Sequence, residues 1–328
     1  MENIDYPFEY QELNPDETEE LRNFFERDIF TTYIRLGPNG HFFYKEFGGV
    51  AVETYNMPLK PTDVFVVSFP RSGTTWSQEL VWLLKNNLDF EAAKATKLVT
   101  RFPFIESAGF LNLNFPKETL EYKKHVFPLS PEDISQLPEP RFIKTHMPLS
   151  LLPPSLLDTV KVVYVARNPL DVVVSNFFHM KSTEFLPKDR EFKPYWNFFM
   201  QSKTLWSPYF AHVKEAWRQR NHPNMIFLFY EELVKDLPAA ASRLAKFLDV
   251  EYSDDQYEAL YKHLNFRNFK SNASVLIQLR KDTGDEGDSF VRSGMSGGWR
   301  EHFDAEMTQQ AETWIADNLR DTDLRFPD

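Results

Sequence analysis

One strand, one loop and one helix that follow each other constrain the fold of this chain more than any other segment. After Asp63 the sequence VFVVSF is continuously apolar, which is typical of a strand buried on both faces of a parallel sheet. The loop PRSGTT follows, and the stretch TTWSQELVWLLKNNL then places Trp76, Leu80 and Leu84 at helical spacing. A buried strand that enters a helix through a glycine-containing loop predicts an α/β fold.

Three further segments predict strands: RFIKTH from Arg141, VKVVYVA from Val160 and MIFLFY from Met225. The second of them leads into RNPLDVVVSNFFHM, where Asn168 can cap a helix and Pro169 can take its first position. Strands that alternate with helices predict a doubly wound, mainly parallel sheet with helices on both faces. In such a sheet, ligands bind at the carboxyl ends of the strands.

Composition narrows the classes of function. The formal charge of −11, from 37 Lys and Arg against 48 Asp and Glu, argues against general attraction to nucleic acid or to an anionic membrane surface. The absence of Cys excludes disulfides, thiolate nucleophiles and thiolate zinc sites. No segment has the apolar length of a signal peptide or a membrane span, so we expect a cytoplasmic protein. The 22 Pro residues are scattered, which favours one domain over residues 1–328.

The PRSGTT loop has the parts of an anion site. The backbone N–H groups of residues 72–75, their hydroxyls and a helix N-terminus form a concave site for a phosphate-like group, and Arg71 adds a positive charge. The loop is not a Walker A sequence, because Ser68 and Thr74 stand where the first Gly and the Lys would be. Taken alone, an ordinary turn between a strand and a helix explains this loop equally well.

Five motifs in one order resemble the cytosolic sulfotransferase family. The family's phosphosulfate loop Y-P-K-S-G-T-T-W is matched by residues 69–76, and K-T-H-x-P-L-x-L-L-P, A-R-N-x-x-D-V-x-V-S, L-F-Y-E-E and R-x-G-x-x-G-x-W are matched by residues 144–153, 166–175, 228–232 and 292–299. The resemblance implies a P-loop-like phosphosulfate-binding loop on an α/β fold. It also implies transfer of a sulfuryl group from 3'-phosphoadenosine 5'-phosphosulfate (PAPS) to a hydroxyl group, with no metal required.

Lys144 and His146 are the candidate catalytic pair. They lie two residues apart at the end of a predicted strand, so both side chains should project from the same side of it. By itself, one His among eight is more often structural. The KTHMPL match implies that His146 takes the proton of the acceptor hydroxyl and that Lys144 neutralises charge on the sulfuryl oxygens. Arg71 replaces the family's Lys; it can stabilise the leaving phosphate through forked hydrogen bonds but should be a poor acid.

Other residues fall at family positions that contact the cofactor. Arg167, Ser175, Arg292 and Gly294 match contacts to the 3'-phosphate, while Ser293 stands in the position of a family Lys, so that one charge is lost. The remaining residues expected to bind the cofactor, through the loop or around the adenine, are Ser72, Gly73, Thr74, Thr75, Trp76, Tyr230, Phe266 and Phe269.

The acceptor site is expected among aromatic residues, of which the 31 Phe residues supply many. An apolar cleft beside a His favours a phenol, a sterol-like alcohol or a polyenyl alcohol over a sugar. The segment before the loop is longer than in vertebrate members, so an extension over about residues 1–45 is expected to cover the acceptor, as in the insect retinol dehydratase-like members. By the resemblance, the acceptor-site residues are Phe47, Phe104, Lys144, Met147, Phe177, Phe178 and His179.

Two other functions stay open at this point. A P-loop kinase would share the sheet and the loop, but it requires a Walker A Lys and a magnesium-binding Asp. A non-catalytic protein that binds nucleotide and an apolar ligand would be expected to lose Lys144 and His146, and both are present. A homodimer is undecided, because the family's K-x-x-x-T-V-x-x-x-E interface motif keeps its charge only at the first of its four positions, Arg300, Asp304, Ala305 and Gln309.

Overall fold

The computed structural model describes residues 6–25, 32–115, 117–126, 129–183, 185–275, 294 and 296–327. The strands of this part of the chain are β1 Gln11–Glu12, β2 Tyr33–Leu36, β3 His41–Tyr44, β4 Val64–Ser68, β5 Phe142–Thr145, β6 Lys161–Ala166 and β7 Met225–Phe229.

The α-helices are α1 Pro15–Phe24, α2 Phe47–Tyr55, α3 Thr74–Lys85, α4 Phe90–Ala95, α5 Leu98–Arg101, α6 Ala108–Leu111, α7 Lys117–Val126, α8 Pro131–Ser135, α9 Leu156–Thr159, α10 Pro169–Ser182, α11 Phe192–Met200, α12 Tyr209–Arg218, α13 Tyr230–Lys235, α14 Leu237–Phe247, α15 Asp254–Leu264, α16 Phe266–Lys270 and α17 Ala305–Leu319. Short 3-10 helices run over Ile105–Ser107, Leu149–Leu151 and Gly298–Glu301.

The four predicted strands form one parallel sheet in the order β5-β4-β6-β7, which confirms the predicted fold class. Val66 of β4 pairs with Lys144 of β5 on one side and with Val163 of β6 on the other. β5 lies beside β4 at one edge of the sheet, and β6 lies on the other side of β4. The carboxyl ends of these three strands therefore meet at a switch point, where α/β proteins bind their ligands.

Helices cover both faces of the parallel sheet. Phe65 and Val67 of β4 pack into one apolar cluster together with residues of α10, α11 and α12. Val64 and Val66 face the other way, into a second cluster built with α3, α14 and α15. Because successive strand residues point to opposite faces, a strand that is apolar throughout requires such cover on both sides.

Local signals set the start of the two helices that follow β4 and β6. Gly73 has a φ of 91° and precedes the first residue of α3, a left-handed conformation that suits glycine. At α10, the Asn168 side chain accepts a hydrogen bond of 2.9 Å from the Leu170 N–H, and Pro169 is the first helical residue. The predicted cap is therefore confirmed.

A second, antiparallel sheet of β1, β2 and β3 was not expected from the sequence. Its strands β2 and β3 pair from Tyr33 with Tyr44 to Leu36 with His41. The backbone of Phe42 in β3 also bonds to the loop after α11: its N–H donates to the Ser207 carbonyl at 2.7 Å, and its carbonyl accepts from the Trp206 N–H at 2.9 Å. In the described part of the chain, no helix is both long enough and apolar enough to cross a membrane.

Candidate active site

A cavity of about 510 Å³ lies at the carboxyl ends of β4, β5 and β6. Its wall is formed by the loop after β4, by the residues that end β5 and β6, by one side of α10 and by residues of α13, α15 and α16. The residues singled out from the sequence that lie on this wall are Arg71, Gly73, Thr74, Thr75, Trp76, Phe104, Lys144, His146, Arg167, Ser175, His179, Tyr230, Phe266, Phe269 and Gly294.

Five of the singled-out residues do not lie on the cavity wall. Phe47 is fully buried behind it, with its ring centroid 5.1 Å from that of the wall residue Phe110. Phe177 packs on Phe192, with centroids 5.3 Å apart, and Phe178 packs on His302, because both residues point away from the side of α10 that faces the cavity. Ser72 and Met147 are fully buried. The remaining two candidates, Arg292 and Ser293, lie outside the described residues.

The loop over residues 70–73, together with the start of α3, forms a cradle, here called the anion loop. A Cβ atom at Gly73 would lie 2.4 Å from the ring of Tyr230, so both the space and the positive φ require glycine there. Ser72 is fully buried, and its hydroxyl finds no hydrogen-bond partner among the described residues. A buried hydroxyl beside a helix N-terminus is a donor suited to an anion.

Three cations converge on the cavity. The Arg71 Nε donates to the Ser175 hydroxyl at 3.1 Å, and the Arg167 guanidinium donates to the Arg71 carbonyl at 3.1 Å. Arg167 also lies over the ring of Tyr230, 4.4 Å from its centroid, and the Lys144 ammonium lies 4.2 Å from the ring centroid of Phe104. In a chain with a net charge of −11, this local cluster is well suited to bind an anion with several charges.

His146 is held in one tautomer. Its Nδ1 lies 2.7 Å from the carbonyl oxygen of Ser68 at the end of β4. Because a carbonyl oxygen only accepts, Nδ1 carries the proton and Nε2 keeps its lone pair. Burial, reinforced by the positive charge of Lys144, lowers the pKa of His146 well below its ordinary value. A neutral imidazole whose free nitrogen is an acceptor is a competent general base.

Glu106, which was not identified from the sequence, lies beneath this pair. It is fully buried, and its carboxylate accepts a hydrogen bond from the backbone N–H of His146. Burial raises the pKa of Glu106 to about 7 and lowers the pKa of Lys144 to about 8. The signal in the sequence was an acidic residue between apolar neighbours in RFPFIES, a pattern that often marks a buried charge with a partner.

The other end of the cavity is aromatic. Phe104, Phe110, Phe185, Trp206 and Met180, here called the acceptor wall, lie beside His146. The His146 ring is 5.2 Å from Phe104 and 5.4 Å from Trp206, edge to face in both cases. Phe110, Phe185 and Trp206 were not singled out from the sequence, because they lie in or near loops where no periodicity indicates which way a side chain points.

The opposite end gathers the residues expected around an adenine. Trp76 and Tyr230 lie with ring centroids 6.2 Å apart, and the Trp76 indole donates to the Leu264 carbonyl at 3.0 Å. A Cβ atom at Gly294 would lie 2.1 Å from the Phe266 ring, so only glycine fits where the backbone crosses that ring. A flat space between aromatic side chains is suited to a purine base.

The donor groups of this cavity therefore fit a sulfonated, phosphorylated adenine nucleotide. Cations and hydroxyls surround the anion loop, and aromatic rings flank the far end. Among the described residues, no group of three or more His, Asp or Glu side chains is arranged to hold a metal ion.

A parallel sheet with an anion loop at its switch point, and with a neutral imidazole opposite the cations, defines an enzyme that transfers a group from an anionic nucleotide. The family model described as sulfotransferase domain matches residues 61–323, so the chain belongs to that family. It is a PAPS-dependent sulfotransferase that acts on small hydroxyl-bearing acceptors, and this part of the sequence interpretation is confirmed. The P-loop kinase alternative is set aside.

Known proteins extend the comparison. Luciferin sulfotransferase of Photinus pyralis is 32% identical over 277 residues, which cover 81% of this chain and 74% of that protein. A crystal structure of retinol dehydratase in a complex with retinol and PAP is 43% identical with a TM-score of 0.89 and covers 99% of this chain and 100% of that chain. A second one, with androsterone and the inactive cofactor PAP, is 43% identical with a TM-score of 0.90 and covers 99% of both chains.

Proposed function

We propose that this sulfotransferase acts on the hydroxyl group of a small apolar alcohol or phenol, with His146 as the general base. The observation that carries the proposal is the position of His146. It lies on the cavity wall with its ring against Phe104 and Trp206 of the acceptor wall, and its Nδ1 is bonded to the Ser68 carbonyl at 2.7 Å. An acceptor hydroxyl that enters along the aromatic side meets the unprotonated Nε2 first.

The residues around the anion loop divide into two groups by role. Arg71 and the helix N-terminus at Thr74 would hold the 5' end of PAPS, and Arg167 and Ser175 the 3'-phosphate. The Ser72 hydroxyl, buried behind the cavity wall and without a partner among the described residues, would add a donor to the 5' end from inside the loop. When bound, PAPS supplies the activated sulfuryl group. Thr75, Trp76, Tyr230, Phe266, Phe269 and Gly294 complete the cofactor side of the cavity.

Proton and charge are handled by the chain itself. The His146 Nε2 accepts the proton of the acceptor hydroxyl as the new oxygen–sulfur bond forms. The Lys144 ammonium and the Arg71 guanidinium stabilise the negative charge that develops on the sulfuryl and phosphate oxygens. Because the imidazole is neutral and already oriented, no tautomer change precedes the transfer.

The acceptor wall favours an apolar molecule. Phe104, Phe110, Phe185, Trp206 and Met180 present aromatic rings and a thioether, and the indole N–H of Trp206 is the one hydrogen-bond donor among these five side chains. Retinol and androsterone, the molecules bound in the two retinol dehydratase structures, are apolar alcohols of a size that suits such a wall. We infer that the acceptors of this protein are sterol-like or polyenyl alcohols and phenols. We also infer that the protein acts in the cytoplasm.

A panel assay tests this proposal. Purified protein is incubated with PAPS and with retinol, androsterone, a simple phenol and glucose, and the products are identified by mass. Mass also shows whether the sulfate ester is retained or sulfate is lost as a second step, a question raised by the name retinol dehydratase. Turnover of the apolar alcohols or the phenol but not of glucose is expected; a preference for glucose would contradict the assignment of the wall.

His146→Ala tests the base. We expect turnover to fall by about two to four orders of magnitude, as for other positioned general bases, with PAP affinity nearly unchanged. Single-turnover kinetics and PAP calorimetry measure the two quantities. Turnover within about threefold of wild type would place the base elsewhere.

A further inference from the structure

A second buried histidine lies directly behind His146. His212, on α12, is fully buried, and its Nε2 is 2.9 Å from the carbonyl oxygen of His146. Its Nδ1 is 2.7 Å from the hydroxyl of Tyr164 on β6. His212 does not lie on the cavity wall, so any part it plays in catalysis is exerted through the residue it holds.

The direction of these hydrogen bonds is fixed by chemistry. The His146 carbonyl can only accept, so the His212 Nε2 carries the proton and donates. Nδ1 then has a lone pair, and the Tyr164 hydroxyl donates to it. Burial, together with the charge of His41, lowers the pKa of His212 to about 4, which keeps the ring neutral and this pattern intact at ordinary pH.

His146 follows the last residue of β5, where the sheet ladder no longer holds the backbone. Its N–H is taken by the Glu106 carboxylate and its ring Nδ1 by the Ser68 carbonyl. The His212 bond adds the third restraint, on the carbonyl side of the same peptide. Three restraints from three elements fix both the backbone and the ring of one residue.

We propose that His212 is a positioning residue for sulfuryl transfer: its Nε2–H holds the His146 carbonyl, and thereby keeps the His146 Nε2 aimed into the cavity. The inference rests on the proposed role of His146 as the base. A misplacement of a catalytic group by about 1 Å lowers rates by about a hundredfold. A buried polar network supports this bond, because the Tyr164 hydroxyl and the His212 ring are hydrogen-bonded to each other away from water.

Two substitutions separate the hydrogen bond from the bulk of the ring. His212→Leu removes the donor, whereas His212→Gln keeps an N–H near the Nε2 position. The matched control is Val213→Ala, at the next residue of α12, which is equally buried but makes no contact of this kind. For each variant we would measure single-turnover rate, KM for the acceptor, PAP affinity by calorimetry and the thermal midpoint.

We expect His212→Leu to lower the single-turnover rate by about 10- to 100-fold while PAP affinity stays within about twofold, because only the base is displaced. His212→Gln should recover most of the rate. Val213→Ala should lower the thermal midpoint and leave the rate unchanged. Equal rates for the Leu and Gln variants, or a Leu variant within about threefold of wild type, would overturn the proposal.

A readout without cofactor complements the kinetics. In protein labelled with ¹⁵N histidine, the imidazole signals of His146 are those lost in His146→Ala. They should report the Nδ1–H tautomer in wild type and in His212→Gln. In His212→Leu the released His146 backbone should loosen the bond from Nδ1–H to the Ser68 carbonyl, and a mixture of tautomers is expected. An unchanged tautomer in the Leu variant together with an unchanged rate would sink the positioning role.

If His212→Leu fails to fold, Tyr164→Phe takes its place. It removes the donor to the His212 Nδ1, which leaves that buried nitrogen unpaired and the ring less firmly held, and we expect a severalfold loss of rate at constant PAP affinity. No loss would overturn the proposal. Failure of the underlying function is seen separately, as an active His146→Ala variant, in which case His146 is not the base whatever His212 does.

Discussion

The charge of Lys144 should set the alkaline limit of activity. Burial lowers the pKa of Lys144 from its ordinary value of 10.5 to about 8, so this ammonium loses its proton within the accessible pH range. If the positive charge is needed to bind and stabilise the sulfuryl oxygens, activity is present below this pKa and is lost as pH rises through it. One pH unit above it, about a tenth of the molecules keep the charge, so kcat/KM for PAPS should fall about tenfold per unit.

The assay is initial rate at low PAPS between pH 6 and 10, with an aliphatic alcohol as acceptor so that its own hydroxyl does not titrate. Since kcat/KM reports the free enzyme, the midpoint should lie near pH 8. The kcat midpoint should lie higher, because the bound anion stabilises the ammonium. On the acid side the titration of His146 should cause no loss near pH 6.5, because burial keeps its imidazole neutral there.

Lys144→Arg is the control for this assignment. A guanidinium keeps its charge throughout the range, so the alkaline limb should disappear even if the rate at pH 7 is reduced by the different geometry. A wild-type profile that is flat to pH 9.5, or an alkaline limb of equal midpoint in Lys144→Arg, would refute the reasoning from burial.

Two further predictions concern the anion loop, and a third concerns the need for a metal. Arg71→Lys should keep or raise single-turnover activity, since the family carries Lys there, while Arg71→Ala should lose about 3 kcal/mol of transition-state stabilisation. A Lys variant as slow as the Ala variant would show that the guanidinium and its bond to Ser175 are required. Gly73→Ala should lower the free energy of unfolding in urea by about 1–3 kcal/mol and weaken PAP binding, because its Cβ would meet the Tyr230 ring at 2.4 Å with φ at 91°. Gly49→Ala is the control, because a Cβ there would have nothing within 4 Å. Equal effects at both sites would contradict the steric argument. Chelation with EDTA should leave activity unchanged, and a loss that magnesium restores would contradict the metal-free prediction.

The parts of the fold that could be predicted from the sequence are those whose structure is set by residues close together in the chain. The apolar run of β4, the glycine before α3 and the Asn168 cap of α10 each have a local cause that a few residues express. The antiparallel sheet of β1 to β3 was missed, because its strands are two to four residues long and carry no clear alternation. Whether the chain is one domain stays a prediction.

The candidate site shows the same division. On α10 and at the residue that caps its C-terminus, the cavity residues Ser175, Asn176, His179, Met180 and Thr183 recur at the spacing of one helical face. Once Ser175 is assigned to the cofactor side, that spacing excludes Phe177 and Phe178 from the wall, because they lie two and three residues further along the helix and on another face. Helical geometry thus accounts for the position of these two acceptor candidates off the cavity wall.

Other site residues have no such signal. Phe110 of the short helix α6 and the loop residues Phe185 and Trp206 reach the acceptor wall through tertiary packing. Glu106 and His212 reach His146 from elements far away in the chain. Their positions are set by tertiary packing, so neither periodicity nor a motif could indicate them.

The bond between β3 and the loop that carries Trp206 has an evolutionary consequence. The family model begins at residue 61, after β1, β2, β3 and α2, yet Phe42 of β3 shares two backbone hydrogen bonds with Trp206 and Ser207. Part of the acceptor wall is thus braced by a segment that the family's common domain does not include, whereas the anion loop belongs entirely to that domain. Changes in the first 60 residues can therefore alter which hydroxyl-bearing acceptor is bound while the anion loop stays the same. New acceptor preferences can arise in this way without any change to the cofactor side of the site.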